Sequence, residues 1–199
     1  MTNKFAKRAA LLGLLAAAAS AQALTVSQTH ADGQAVIGLV LSSEFGPSLL
    51  AADIGFGRAA SVSFDLTLDA VDEGQSLGFN AVISALNGHQ IEALEVRLSG
   101  AEFAWVGSLT PAFADVAAHT GDAQYQRYVF GPAEGFGIDL GRPFAQVGAS
   151  DWQISSFGLK AGDTVTLSIS SAVPEPASWS LLMVGAALLL AARARASQH

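Results

Sequence analysis

From Ser61 to Ala70 apolar and polar side chains alternate without a break: Val62, Phe64, Leu66 and Leu68 point one way, Ser63, Asp65, Thr67 and Asp69 the other. A period of two belongs to an extended strand, and polar alternate positions mark one face buried and one wetted. The pattern returns in Ile91–Ser99, with Leu94, Val96 and Leu98 inward and Glu95 and Arg97 outward. It returns again in Thr164–Ser170, where Val165, Leu167 and Ile169 alternate with Thr and Ser. Further strands are predicted at Ala35–Ser42, Leu77–Leu86, Glu102–Val106, Tyr125–Phe130 and Trp152–Leu159, separated by Gly, Pro and Asp turn signals. Asn87-Gly88 favours the positive φ angles of a tight hairpin turn, so residues 61–99 read as a meander of three antiparallel strands. Ser48–Arg58 and Pro111–Ala118 each admit a helical turn. About eight or nine short strands with polar turns predict an all-β domain over residues 24–172, an antiparallel β-sandwich of jelly-roll type.

The two chain ends break this period. Lys4, Lys7 and Arg8 precede an apolar run from Ala9 to Ala19, and Ala21-Gln22-Ala23 supplies small residues where a signal peptidase needs them. Residues 1–23 therefore read as a helical signal peptide, with Ala21 and Ala23 at the cleavage site and the Sec translocon and signal peptidase as partners. The chain has no cysteine, so an exported domain must be held by its core without disulfides, and thiol chemistry is excluded.

The last 27 residues, 173–199, have a different grammar. Val173, Pro174, Glu175 and Pro176 open the segment, and two prolines hold it extended and out of helix. Ala177 to Ala192 follow without a charge. At 1.5 Å per residue these 16 residues span about 24 Å, short of the ~30 Å hydrocarbon core of a bilayer. Trp179 stands where an interfacial aromatic sits, and Arg193 and Arg195 supply a positive cytoplasmic end. The expectation is a single transmembrane helix that holds the protein briefly, with its body outside.

This order of parts resembles the PEP-CTERM sorting signal of Gram-negative bacteria, the substrate of exosortase. The matching residues are Pro174, Glu175 and Pro176, the span to Ala192, and Arg193 and Arg195; Ala194 splits the arginines, where a tighter basic cluster is common. The resemblance covers about the last 25 residues. It implies transient anchoring in the inner membrane, processing by exosortase, and delivery to the cell surface or extracellular matrix among exopolysaccharide and biofilm components.

For the body of the chain, charge excludes more than it specifies. Residues 24–172 carry sixteen acidic and five basic side chains, a formal net of −11. Such a surface repels phosphate backbones, which argues against nucleic acid as a partner. His30, His89 and His119 are scattered without metal-ligand spacing, and nucleophile-elbow and phosphate-loop motifs are absent. Asp69, Asp72 and Glu73, close together at a turn, are the candidate oxygen ligands for calcium, although the acidic loop pattern of a calcium hand is missing. Trp105, Tyr125, Tyr128 and Trp152 are the aromatics available to stack on sugar rings, with core packing as the competing use. Among sixteen acids a glycosidase pair cannot be singled out by spacing. The expected function is a non-enzymatic exported surface or matrix protein without a required cofactor. The alternative is a lectin-like module recognising exopolysaccharide, with a secreted hydrolase third.

Overall fold

A computed structural model describes residues 24–32, 35–42, 48–57, 60–144 and 150–172. The predicted signal peptide (1–23) and sorting tail (173–199) lie outside the described residues, and with them Ala21, Ala23, Val173, Pro174, Glu175, Pro176, Arg193 and Arg195. Among the described residues no helix is long and apolar enough to cross a membrane.

The described chain is all-β. Its strands are β1 (Thr25–Asp32), β2 (Ala35–Ser42), β3 (Leu49–Phe56), β4 (Ala60–Thr67), β5 (Ser76–Ala85), β6 (Ile91–Ser99) and β7 (Glu102–Trp105). There follow β8 (Leu109–Pro111), β9 (Val116–Gly121), β10 (Tyr125–Glu134), β11 (Gly137–Leu140), β12 (Trp152–Ser155) and β13 (Thr164–Ala172). A 3-10 turn at Ala70–Asp72 is the one helical element among the described residues.

The strands form two sheets. The first runs β1-β4-β13-β6-β10-β9 and is antiparallel throughout. The second runs β2-β3-β5, and the far edge of β5 is shared by two short strands. Its N-terminal half pairs with β12, which carries β7; its C-terminal half pairs with β11, which carries β8. Alternation decides which faces meet. Val62, Phe64 and Leu66 of β4 and Val165, Leu167 and Ile169 of β13 belong to the same buried cluster as Leu77, Phe79 and Ile83 of β5 and Trp152 and Ile154 of β12. Each such side chain contributes roughly 1.5–3 kcal/mol by leaving water, which makes the architecture sandwich-like. The opposite face of the first sheet is polar, as where the Thr166 hydroxyl donates to Asp65 at 2.7 Å.

Several expectations need correction. Residues 61–99 are not a meander: β4 and β6 lie in the first sheet and β5 in the second, so none of the three pairs with another. Asn87 (φ 55°) and Gly88 (φ 72°) do take the positive angles their sequence favours. The connection, however, spans all of residues 86–90, long enough to carry the chain across to the facing sheet. The second sheet is mixed, because β3 and β5 are parallel. The strand between them, β4, is in the facing sheet, and two successive crossings return the chain in its original direction.

There are also more strands than eight or nine. Ser48–Arg58, which admits a helical turn by sequence, contains β3, and the Pro111–Ala118 stretch holds the end of β8 and the start of β9. β9 is exposed along its whole length and β8 is only three residues long, so neither shows a usable alternation.

Candidate functional site

The carboxylates at the 70s turn are engaged in holding backbone. Asp69 accepts from the Ala70 N–H at 2.6 Å, while buried Asp72 accepts from the Asp69 N–H at 3.1 Å and from the hydroxyl of buried Ser48 at 2.7 Å. Glu73 reaches a different loop and accepts from the Ala161 N–H at 2.9 Å. Among the described residues no three His, Cys, Asp or Glu side chains come together as a metal-binding group. Asp69, Asp72 and Glu73 therefore do not converge on one ion. Their proximity in sequence reflects a capped turn, in which short acidic side chains satisfy free N–H groups.

The four sugar-stacking candidates do not form one platform; Tyr128 and Trp152 meet in the core, their rings 6.3 Å apart. Trp152 is fully buried; its Nε1–H donates to the Ser108 carbonyl at 2.7 Å, and its ring packs edge-on against Phe103 at 5.4 Å. Tyr128 is buried with His119 stacked on it at 4.3 Å, and burial pushes its hydroxyl pKa up to about 12. Tyr125 faces the other way, under Arg97 at 4.8 Å; its hydroxyl pKa is raised by desolvation and then by a hydrogen bond to Glu95. Trp105 alone is largely exposed, at 64 %. It pairs with Gln153 while Phe103, two residues earlier, pairs with Ile154, so one extra residue in β7 turns Trp105 out of the core. A bulge of this kind reverses the facing that strict alternation predicts.

A concave feature of the described surface lies on the outer face of the second sheet. Two adjoining grooves of about 580 Å³ and 380 Å³ share Val82 and Phe144. Their floor is one rung across five strands. Gly38 of β2 pairs with Asp53 of β3, Asp53 with Val82 of β5, Val82 with Asp139 of β11, and Asp139 with Thr110 of β8. Directly paired residues point to the same side, so Asp53 and Asp139 stand on one face with Val82 between them. At about 4.8 Å per strand their backbones are about 10 Å apart. The rings of Phe136 and Phe144, 70 % and 81 % exposed, rise beside this floor.

Phe136 is held there by a buried acid. Glu134, at the end of β10 and fully buried, receives four backbone N–H groups. Phe113 (2.8 Å) and Ala114 (2.9 Å) donate to Oε2, and Phe136 (2.8 Å) and Gly137 (3.3 Å) donate to Oε1. Burial alone would raise this carboxyl's pKa, but the four donors prevail and hold it below its usual value. The clamp sets exposed Phe113 edge-on to Phe136 at 5.4 Å.

Sequence reasoning missed Asp53, Asp139, Phe136 and Phe144. The signal available for the phenylalanines is their setting. Gly135-Phe136-Gly137 and Arg142-Pro143-Phe144 place large apolar rings inside turn sequences, where alternation cannot carry them into a core.

Comparison with protein-family models, curated protein sequences and solved structures finds no match to this chain.

Proposed function

We propose that this is an exported, non-catalytic protein of the cell surface or extracellular matrix, sorted by a PEP-CTERM-type tail that exosortase processes. The observation that carries this reading is the order of parts in the sequence of residues 173–199: Pro-Glu-Pro, an uncharged span too short for comfortable permanent anchoring, then two arginines. The signal-like first 23 residues support it, since the Glu175 side of the tail must reach the exported face to be read. The repeated passage of the chain between its two sheets supports reading the sandwich as jelly-roll-like. Intact-mass spectrometry of the native protein, from strains with and without exosortase, tests the sorting. The expected result is loss of the residues after Pro176 only where exosortase is present; an intact tail in both strains overturns it.

The groove favours a second reading for the body of the chain, glycan binding. Apolar rings beside a polar floor suit the two surfaces of a sugar, whose C–H faces stack on aromatics and whose hydroxyls need hydrogen-bond partners. Asp53 and Asp139 stand on one face with Val82 between them, an arrangement that offers polar contacts at two points along a bound chain. Phe136→Ala or Phe144→Ala is expected to weaken glycan affinity roughly tenfold, about 1.4 kcal/mol, with little change in folding because both rings are exposed. A glycan array followed by titration of the best hit checks this. Wild-type affinity in both variants would remove the groove from consideration.

A further inference from the structure

We propose that the chain held in this groove is an amino-sugar polymer bearing free ammonium groups, with Asp53 and Asp139 as its two cation-receiving residues; this rests on the glycan-binding reading above. Among the described residues these two carboxylates are the only ionisable side chains lining the grooves, and no Lys, Arg or His lines them. Several other acids near turns and outer faces are occupied. Asp65 accepts from Thr166, Asp72 from Ser48, Glu73 from Ala161, Glu134 from four N–H groups, and Asp151 from Ser108. Asp53 and Asp139 make no hydrogen bond or ion pair among the described residues, so their oxygens are left to a ligand.

Their setting favours a cation over a merely polar group. Val82, Phe136 and Phe144 line the grooves together with the two carboxylates, and a charge-assisted N–H···O bond is stronger than one from a neutral hydroxyl. A polymer lying along the rung crosses the strands and meets Asp53 and Asp139 about 10 Å apart, so it is gripped at two points with an apolar contact between them. A uronic-acid polymer would place its carboxylates against the same oxygens and be repelled. The surplus of acids over residues 24–172 adds the same selectivity at long range, drawing polycations in and turning polyanions away.

Calorimetric titration of the full chain in neutral detergent tests this with three oligosaccharides of equal length: a glucosamine oligomer, its fully N-acetylated counterpart, and an oligo-uronate. The glucosamine oligomer is expected to bind about tenfold tighter than the acetylated one, as two partly screened ion pairs would allow, and the uronate not to bind. The advantage should disappear in high salt and in the Asp53→Asn/Asp139→Asn variant, whose replacements keep shape and lie outside the core. Equal or tighter binding of the acetylated oligomer, or binding of the uronate, overturns the charge inference while leaving glycan binding in place, provided that Phe136→Ala and Phe144→Ala still weaken it. Binding of none of the three overturns both.

Discussion

Glu134→Gln is expected to cost the protein about 3–5 kcal/mol of stability and to lower its thermal midpoint by roughly 10 °C. The carboxylate is fully buried and is the shared acceptor for two loops: the Phe113 and Ala114 N–H groups from the β8–β9 connection, and the Phe136 and Gly137 N–H groups leading into β11. A glutamine keeps one acceptor oxygen and turns an NH₂ group toward two N–H donors, so half of the clamp becomes donor against donor. The effect depends on pH. Because the folded-state pKa is held below the ordinary value of 4.5, the contribution is fully present above pH 4.5 and is lost as pH falls through the lower folded value. Wild type and variant should therefore converge in denaturation midpoint under strong acid. An unchanged midpoint for Glu134→Gln at neutral pH would show that the clamp does not bear on folding.

Trp152→Ala is expected to destabilise by about 3–5 kcal/mol, whereas Trp105→Ala should stay within about 0.5 kcal/mol of wild type. Trp152 is among the largest fully buried side chains, packed against Phe103 and Tyr128 between the two sheets. The Ser108 carbonyl that accepts its indole N–H also receives the Gly141 N–H at 2.8 Å, so the loss is mainly one of packing and cavity formation. Chemical denaturation of the two variants measures the difference. A stable Trp152→Ala variant would mean that the core closes over the gap, contrary to the dense packing of paired sheets. The same contrast bears on function: any glycan affinity lost with Trp152 would report unfolding, while Phe136 and Phe144 can be tested without that ambiguity.

How much of this was legible beforehand depends on the range over which each feature is decided. β6 falls where alternation places it, Ile91–Ser99, because a half-buried strand writes its facing into every second residue, and β2 falls at the apolar run between turn signals, Ala35–Ser42. β9 was not legible, since a strand exposed on all six residues carries no alternation. The facing of Trp105 was hidden for a related reason: one inserted residue in β7 reverses it, and the insertion exists only relative to β12. Asp69, Asp72 and Glu73 looked like a shared cation site because proximity in sequence was visible, while their separate partners, the Ser48 hydroxyl and the backbone N–H groups of Ala70 and Ala161, were not.

Local chemistry thus determined, from the chain alone, that the body is built of strands, where much of the polypeptide turns, and that its two ends follow rules unlike the middle. These are properties of neighbours along the backbone, fixed by side-chain period and by the φ angles that Gly, Asn and Pro allow. Only the tertiary structure decided which strands pair, that β4, β5 and β6 separate into two sheets, and that Asp53 and Asp139, 86 positions apart, share one rung with Val82. Pairing is chosen by burying every apolar face at once, and that sum over the whole molecule cannot be read from any one segment.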